Sequence, residues 1–377
     1  MIIHRHRKEE INSLTLALFI FQYSLTIPLM SRISSTLVIS ISSGLLLLFI
    51  LLNNAKERIN IAVVKDVLLI AVLFAIKTIV DLMASPDLII HFVVFVLPSS
   101  IMMMFRYDPE KLLEYCYKLA IVNFVVLLPN PFLGGYRYMR FGYGMILTTV
   151  FIMQYIPKLV GKKRIVALAV IFISLAEVFL YGSRGCIVVF IMFFGLYSIL
   201  IHREKKARNI SLIVVAIILY LNIGKLIDIA YTLSLRIGIG SYSIAKYRMQ
   251  LANGWAYASS GRDRIYQDSL ELIRQHPFFG NTIKSIGEDD YVHNLFLQVA
   301  QDFGIPIMLI LILLLIVVVF KIADKKIEYN NRVLLCCLFS ISIGRLMFSS
   351  TLYKRPEFWL LLFLFSTLKN KGIVEVE

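Results

Sequence analysis

The chain has 377 residues, of which 59% are hydrophobic and only 17% charged, with a formal net charge of +15. Its apolar residues fall into blocks of about 20, long enough to cross roughly 30 Å of hydrocarbon as helix, which excludes an ordinary soluble domain. Continuous blocks also exclude the period-two alternation of a membrane barrel. The basic charge is scattered over many short loops, so it records membrane topology and excludes a nucleic-acid partner.

In chain order the expected spans lie near 11–30, 33–52, 61–80, 86–105, 112–129, 141–157, 164–182, 185–201, 209–231, 304–320, 333–350 and 356–368. The expected fold is an all-α polytopic membrane protein with about 12 transmembrane helices and one large, partly helical external loop. Residues 1–231 form an N-terminal bundle of about nine spans, 232–292 the loop, and 293–377 a site helix and the last spans. The first block follows His4-Arg5-His6-Arg7-Lys8 and lacks a small-residue cleavage site, so it reads as a span rather than a signal peptide. The third holds Lys65, Asp66 and Lys77, with Asp81 beside it, and their side chains could snorkel to its ends. Cys116, Cys186, Cys336 and Cys337 sit in apolar blocks without ligand spacing, as reduced packing residues.

Lysine and arginine alternate in density from loop to loop. One set of loops holds Arg5, Arg7, Lys8, Lys56, Arg58, Arg106, Lys111, Lys158, Lys162, Lys163, Arg164, Arg203, Lys205, Lys206 and Arg208. It continues with Lys321, Lys325, Lys326, Arg332, Lys369 and Lys371, whereas the short loops of the other set hold only Arg32, Arg137, Arg140, Arg184, Lys354 and Arg355. The positive-inside rule then puts both termini in the cytoplasm and the 232–292 loop outside.

External positive charges run against that rule, and most of them are arginines. Arg137, Arg140 and Arg184 are joined by the loop residues Arg236, Arg248, Arg262, Arg264 and Arg274. Guanidinium groups grip phosphate bidentately, so this cluster suggests a phosphate-bearing substrate. The competing reading pairs the loop arginines with Asp263, Asp268, Glu271 and the acids at 288–290. Arg345 lies within an apolar span, where a charge is costly and marks function or pairing; Glu177 and Asp302 are candidate partners.

The loop itself carries a helix over 262–275. Ile265, Tyr266, Ser269, Leu270 and Ile273 share one face, and Arg264, Asp268, Glu271 and Gln275 the other. Ser260 is a plausible N-cap and Pro277 stops the helix. After His293-Asn294, Phe296, Val299, Ala300 and Phe303 recur at helical spacing until Gly304 and Pro306 hand over to the next span.

Arg184 in Tyr181-Gly182-Ser183-Arg184-Gly185, then Ser260-Gly261-Arg262, Pro277-Phe278-Phe279-Gly280 and His293-Asn294, follow one another in this order up to Gly304. In these motifs the chain resembles the O-antigen ligase and polymerase superfamily of bacterial membrane glycosyltransferases, which have a GT-C-like architecture. The resemblance implies action on undecaprenyl-diphosphate-linked glycans at the outer face of the cytoplasmic (inner) membrane. It implies that Arg184 and Arg262 bind the diphosphate and that His293 takes part in catalysis. Arg137, Arg140, Arg264, Asn294 and Arg345 are candidate accessory residues. Fixed arginines suit a diphosphate leaving group that gains charge, and a histidine of near-neutral pKa suits deprotonation of an acceptor hydroxyl. No cofactor and no metal are expected. The expected partners are lipid-linked glycans as donor and acceptor, membrane lipids and a chain-length regulator protein.

Ligases of this superfamily carry Gly-x-x-Gly-Thr after the His-Asn helix, often with a further His before it. Here Gly304-Ile305-Pro306-Ile307-Met308 and Tyr291 stand at those places, which favours a polymerase that joins glycan repeat units. A ligase transferring glycan to lipid A core remains the alternative. A transporter would explain the spans and Arg345, but not the ordered external motifs, and no repeat halves are evident.

Overall fold

The computed structural model describes residues 2–31, 33–80, 87–132, 136–202, 204, 221–236, 242–253, 262–281 and 292–369. Every regular element among them is helical. In order they are α1 (Ile2–Leu25), α2 (Ser35–Asn53), α3 (Ile61–Val80), α4 (Asp87–His91), α5 (Leu97–Met104), α6 (Pro109–Leu127), α7 (Tyr138–Tyr155) and α8 (Gly161–Tyr181). Then come α9 (Arg184–Leu196), α10 (Ile223–Arg236), α11 (Tyr242–Asn253), α12 (Arg262–Gln275), α13 (Leu295–Phe303), α14 (Ile305–Ala323), α15 (Tyr329–Leu346) and α16 (Pro356–Lys369). A π-helical turn, Phe92–Val96, joins α4 to α5, and another, Tyr197–Ile201, extends α9.

Helix occupies most of each expected span where it is described, but the eleventh, expected to reach residue 350, ends at Leu346. Residues 209–220 of the ninth, the Ser260 cap and the acids at 288–290 lie outside the described residues. Among the described residues, five helical stretches are both long and apolar enough to cross a membrane: Ser35–Asn53, Pro109–Phe132, Gly161–Tyr181, Arg184–Ile201 and Ile305–Ala323. The sequence reading expects more, and the difference has a physical cause. Helices that face other helices can carry polar residues provided these find partners in the bundle. In α1, Asn12 donates to Asn54 Oδ1 at 3.1 Å and to the Arg106 carbonyl at 2.7 Å. Gln22 meets Ser42 and Ser43 of α2 in the same way.

Helix α15 is the extreme case, buried from Asn331 to Leu346. It packs against α6, α7, α9, α14 and α16, while α7 is itself buried from Phe141 to Ile152. By contrast α2, α3, α8 and α14 present large apolar side chains outward, among them Leu52, Ile79, Phe172 and Leu313. That is the surface expected toward lipid. The four cysteines are buried free thiols, consistent with packing. Further along the chain, α10 pairs with α11, which also packs on α8, and α12 packs on α13, which leads into α14.

Candidate active site at the end of the buried helix

At its end α15 turns sharply. The Phe348 and Ser349 N–H groups both donate to the Arg345 carbonyl, at 3.1 and 2.7 Å. Carbonyls at a helix C-terminus lie beyond the helical ladder and take partners from elsewhere. Arg262 Nη2, at the start of α12, donates to the Phe348 carbonyl at 3.0 Å. The His293 ring lies near the Phe348 backbone. Gly185, next to Arg184 at the start of α9, lies against the same residue: a methyl on Gly185 would fall 3.0 Å from Phe348 Cβ. Three motifs distant in sequence therefore converge on one turn. The sequence reading missed that turn, because Phe348-Ser349-Ser350-Thr351 carries no charge to draw attention.

His293 sits at φ +55° and Ser350 at φ +87°, two non-glycine residues in the left-handed region. Such backbone costs of order 1–3 kcal/mol each and persists where the surroundings over-determine it, as around ligand sites. Burial of the imidazole, then the nearby Arg262 charge, push the His293 pKa down to about 4, against the opposing effect of the Phe348 backbone. The ring is thus neutral at neutral pH. Asn294 serves the backbone instead. Its side chain caps α13, accepting from the Phe296 and Leu297 N–H groups at 3.0 and 3.1 Å.

The segment Pro277-Phe278-Phe279-Gly280 forms a clasp that fixes α12 against α13 and α14. The Asn281 N–H donates to the Gln301 carbonyl and the Ile305 N–H to the Pro277 carbonyl, both at 2.7 Å. Gly280 (φ +72°) and Gly304 (φ +88°) make the close approach possible. A Cβ on Gly280 would lie 2.5 Å from the Asp302 carbonyl carbon and oxygen, and one on Gly304 2.5 Å from the Phe278 carbonyl carbon. Only glycine satisfies both the φ and the space. The clasp therefore sets the spacing between Arg262 on one helix and His293 before the next.

Behind the Phe348 turn lies a buried polar cluster. Arg345 and Glu357 are each 5% exposed and pair at 3.7 Å. Glu357, not Glu177 or Asp302, is the acid that answers Arg345; Asp302 instead accepts from the Tyr353 hydroxyl at 2.8 Å. The Arg345 guanidinium also lies over Tyr143 (4.6 Å) and Tyr23 (5.2 Å), and Arg355 lies over Tyr23 as well (5.3 Å). Arg355 Nε donates to Ser350 Oγ, tying this cluster to the strained turn. A cavity of about 10 Å³ between Tyr23, Ser24, Tyr143, Arg345 and Glu357 has room for about one water molecule.

The remaining arginines divide. Arg140, on the first turn of α7, is near enough for its charge to reach Tyr23, while Arg137 precedes α7 and is exposed. Arg264 points away from the site, 90% exposed and 3.9 Å from Asp268. Arg274 pairs with Glu271 at 3.9 Å, so the pairing reading holds for Arg264 and Arg274, whereas Arg248 pairs at 2.9 Å with Asp228, an acid the sequence reading did not name. Among the described residues no group of three or more His, Cys, Asp or Glu side chains is placed to hold a metal ion. Below Phe296, an entirely apolar groove of about 250 Å³ runs between α14 and α15, lined by residues such as Leu315, Phe320, Phe339 and Ile343.

A family model described as O-antigen ligase matches residues 168–312. No curated protein and no solved structure matches the chain. The matched stretch begins within α8 and ends within α14, taking in Arg184, Arg262, the clasp and His293. The match covers less than half of the chain, and over that stretch the chain is similar to the O-antigen ligase family.

Proposed function

We propose that the protein is a membrane glycosyltransferase that polymerises undecaprenyl-diphosphate-linked oligosaccharide repeat units at the outer face of the cytoplasmic membrane. Both termini are then cytoplasmic and the 232–292 segment external. The observation that supports the proposal is the bond from Arg262 to the Phe348 carbonyl, with His293 near the same turn and the start of the Arg184 helix against it.

In this reading an acceptor hydroxyl attacks the anomeric carbon of the donor sugar. The bond from that carbon to the diphosphate oxygen breaks, and undecaprenyl diphosphate leaves with the electron pair. His293 takes the hydroxyl proton, for which its neutral form is required. Arg184 and Arg262 hold the diphosphate and stabilise the charge it gains. The apolar groove beneath Phe296 suits the hydrocarbon chain of such a substrate.

The test is incubation of purified protein with a defined undecaprenyl-diphosphate oligosaccharide, followed by gel analysis. A ladder formed without lipid A core supports the polymerase. A single addition that requires lipid A core identifies a ligase, and no product under either condition favours transport. Within this assay Arg184→Lys and Arg262→Lys should fail nearly as badly as the alanine variants, because the bidentate fork is lost. Normal activity of Arg262→Lys would remove the diphosphate role.

A further inference from the structure

Phe278 and Phe279 are 69% and 85% exposed, the two consecutive aromatics at the tip of the clasp. The clasp that presents them is held rigidly by the glycine contacts described above, so their exposure is a fixed feature of the backbone. Two separate contacts set their height along the bundle. On one side the Pro277 carbonyl accepts from the N–H of Ile305, the first residue of α14. That helix is the most apolar of the membrane-length helices, with mean hydropathy 3.2, and little of it is buried. On the other side the Phe279 carbonyl accepts from Lys77 Nζ at 3.4 Å, one turn before the end of α3. There Ile76 and Ile79 are 53% and 72% exposed. Phe74 of α3 also stacks on Phe303, which ends α13.

The tip therefore lies where one outward-facing apolar helix begins and another ends, which is the boundary of the hydrocarbon layer. Water contact for two adjacent phenyl rings is unfavourable by about 25 cal/mol per Å² of apolar surface, and the headgroup–acyl boundary is the apolar phase within reach. We propose that Phe278 and Phe279 form a membrane wedge seated in the acyl boundary of the bilayer leaflet nearest the site. Through the clasp, the wedge holds α12, and with it Arg262, at headgroup depth. Its occupant is the lipid surface itself, because the exposed rings continue the lipid-facing sides of α3 and α14.

The proposal is independent of which reaction the site performs and is tested without an activity assay. Phe279→Trp is placed in a background lacking the native Trp255 and Trp359 (both replaced by Phe), and the protein is reconstituted into phosphatidylcholine vesicles. Lipid brominated near the carbonyl end of its acyl chains should quench this tryptophan more than aqueous iodide does. Arg264→Trp, on the outward face of α12, should show the reverse order. Quenching of Phe279→Trp by iodide, with none by brominated lipid, would overturn the wedge. If the tryptophan-free background does not fold, a nitroxide on Phe279→Cys gives the same decision. Greater relaxation by oxygen than by a water-soluble nickel complex supports the wedge, and the opposite order refutes it.

Discussion

The protonation state of His293 gives the sharpest test of the site. Burial and the Arg262 charge lower its pKa from 6.5 to about 4. A shift of that size is about 3 kcal/mol, which solvent access to the half-buried ring screens to about 2 kcal/mol. Because the folded pKa lies below the unfolded one, the unfolded chain binds the proton more readily between these values. Stability linked to His293 is thus fully present above pH 6.5 and is lost as pH falls toward 4. Diethylpyrocarbonate modifies only neutral imidazole, so its rate at His293, read by mass spectrometry of the His293 peptide, reports the titration directly. The rate should stay high through mildly acidic pH and fall only near pH 4, with denatured protein as the reference. Arg262→Gln should move the midpoint upward by about one unit, and not fully to 6.5, because burial remains. Arg262→Lys should leave it low, since the charge is kept. A wild-type midpoint near 6.5, or no movement in Arg262→Gln, would refute this account of the site.

Three further outcomes follow from the packing. Gly304→Ala should open the clasp, since its Cβ would collide with the Phe278 carbonyl at a φ that alanine resists; rapid proteolysis between α12 and α13 together with loss of turnover is expected. Arg345→Ala should lower stability by about 3–5 kcal/mol by stranding Glu357, whereas Arg345→Met combined with Glu357→Leu should recover most of it; thermal melts of the detergent-solubilised protein decide this. Asn294→Ala should cost about 1 kcal/mol through loss of the α13 cap, and Asn294→Ser should restore both stability and turnover; persistent inactivity of Asn294→Ser would give Asn294 a chemical role instead.

Local periodicity made much of this legible. The helix from Arg262 to Gln275, its stop at Pro277 and the break at Gly304 all follow from spacing and breaker residues. The same periodicity explains why Arg264 leaves the site: two residues on a helix are about 200° apart, so Arg262 and Arg264 cannot face the same carbonyl. What sequence could not show was long-range. Nothing near Arg345 in the chain marks Glu357 as its partner, and the neutral turn at Phe348 becomes important only because 86 positions away Arg262 reaches it. Apolar counting also has a built-in limit here. Helix α15 faces protein on all sides, so its Asn331, Arg332, Ser340, Ser342 and Arg345 dilute the signal by which a lipid-facing span is recognised.

The two arginines of α15 do more than find partners. Near one end Arg332 donates to the carbonyls of Ile322 and Leu200, at 2.8 and 3.0 Å, and near the other Arg345 is held by Glu357. A piston movement of one helical turn, about 5.4 Å, would break every one of these contacts at once and leave buried charges without partners. The helix is pinned along its own axis like a bolt secured at both ends. The Phe348 carbonyl, just past the Arg345 end of this helix, is thereby held at a constant height along the bundle.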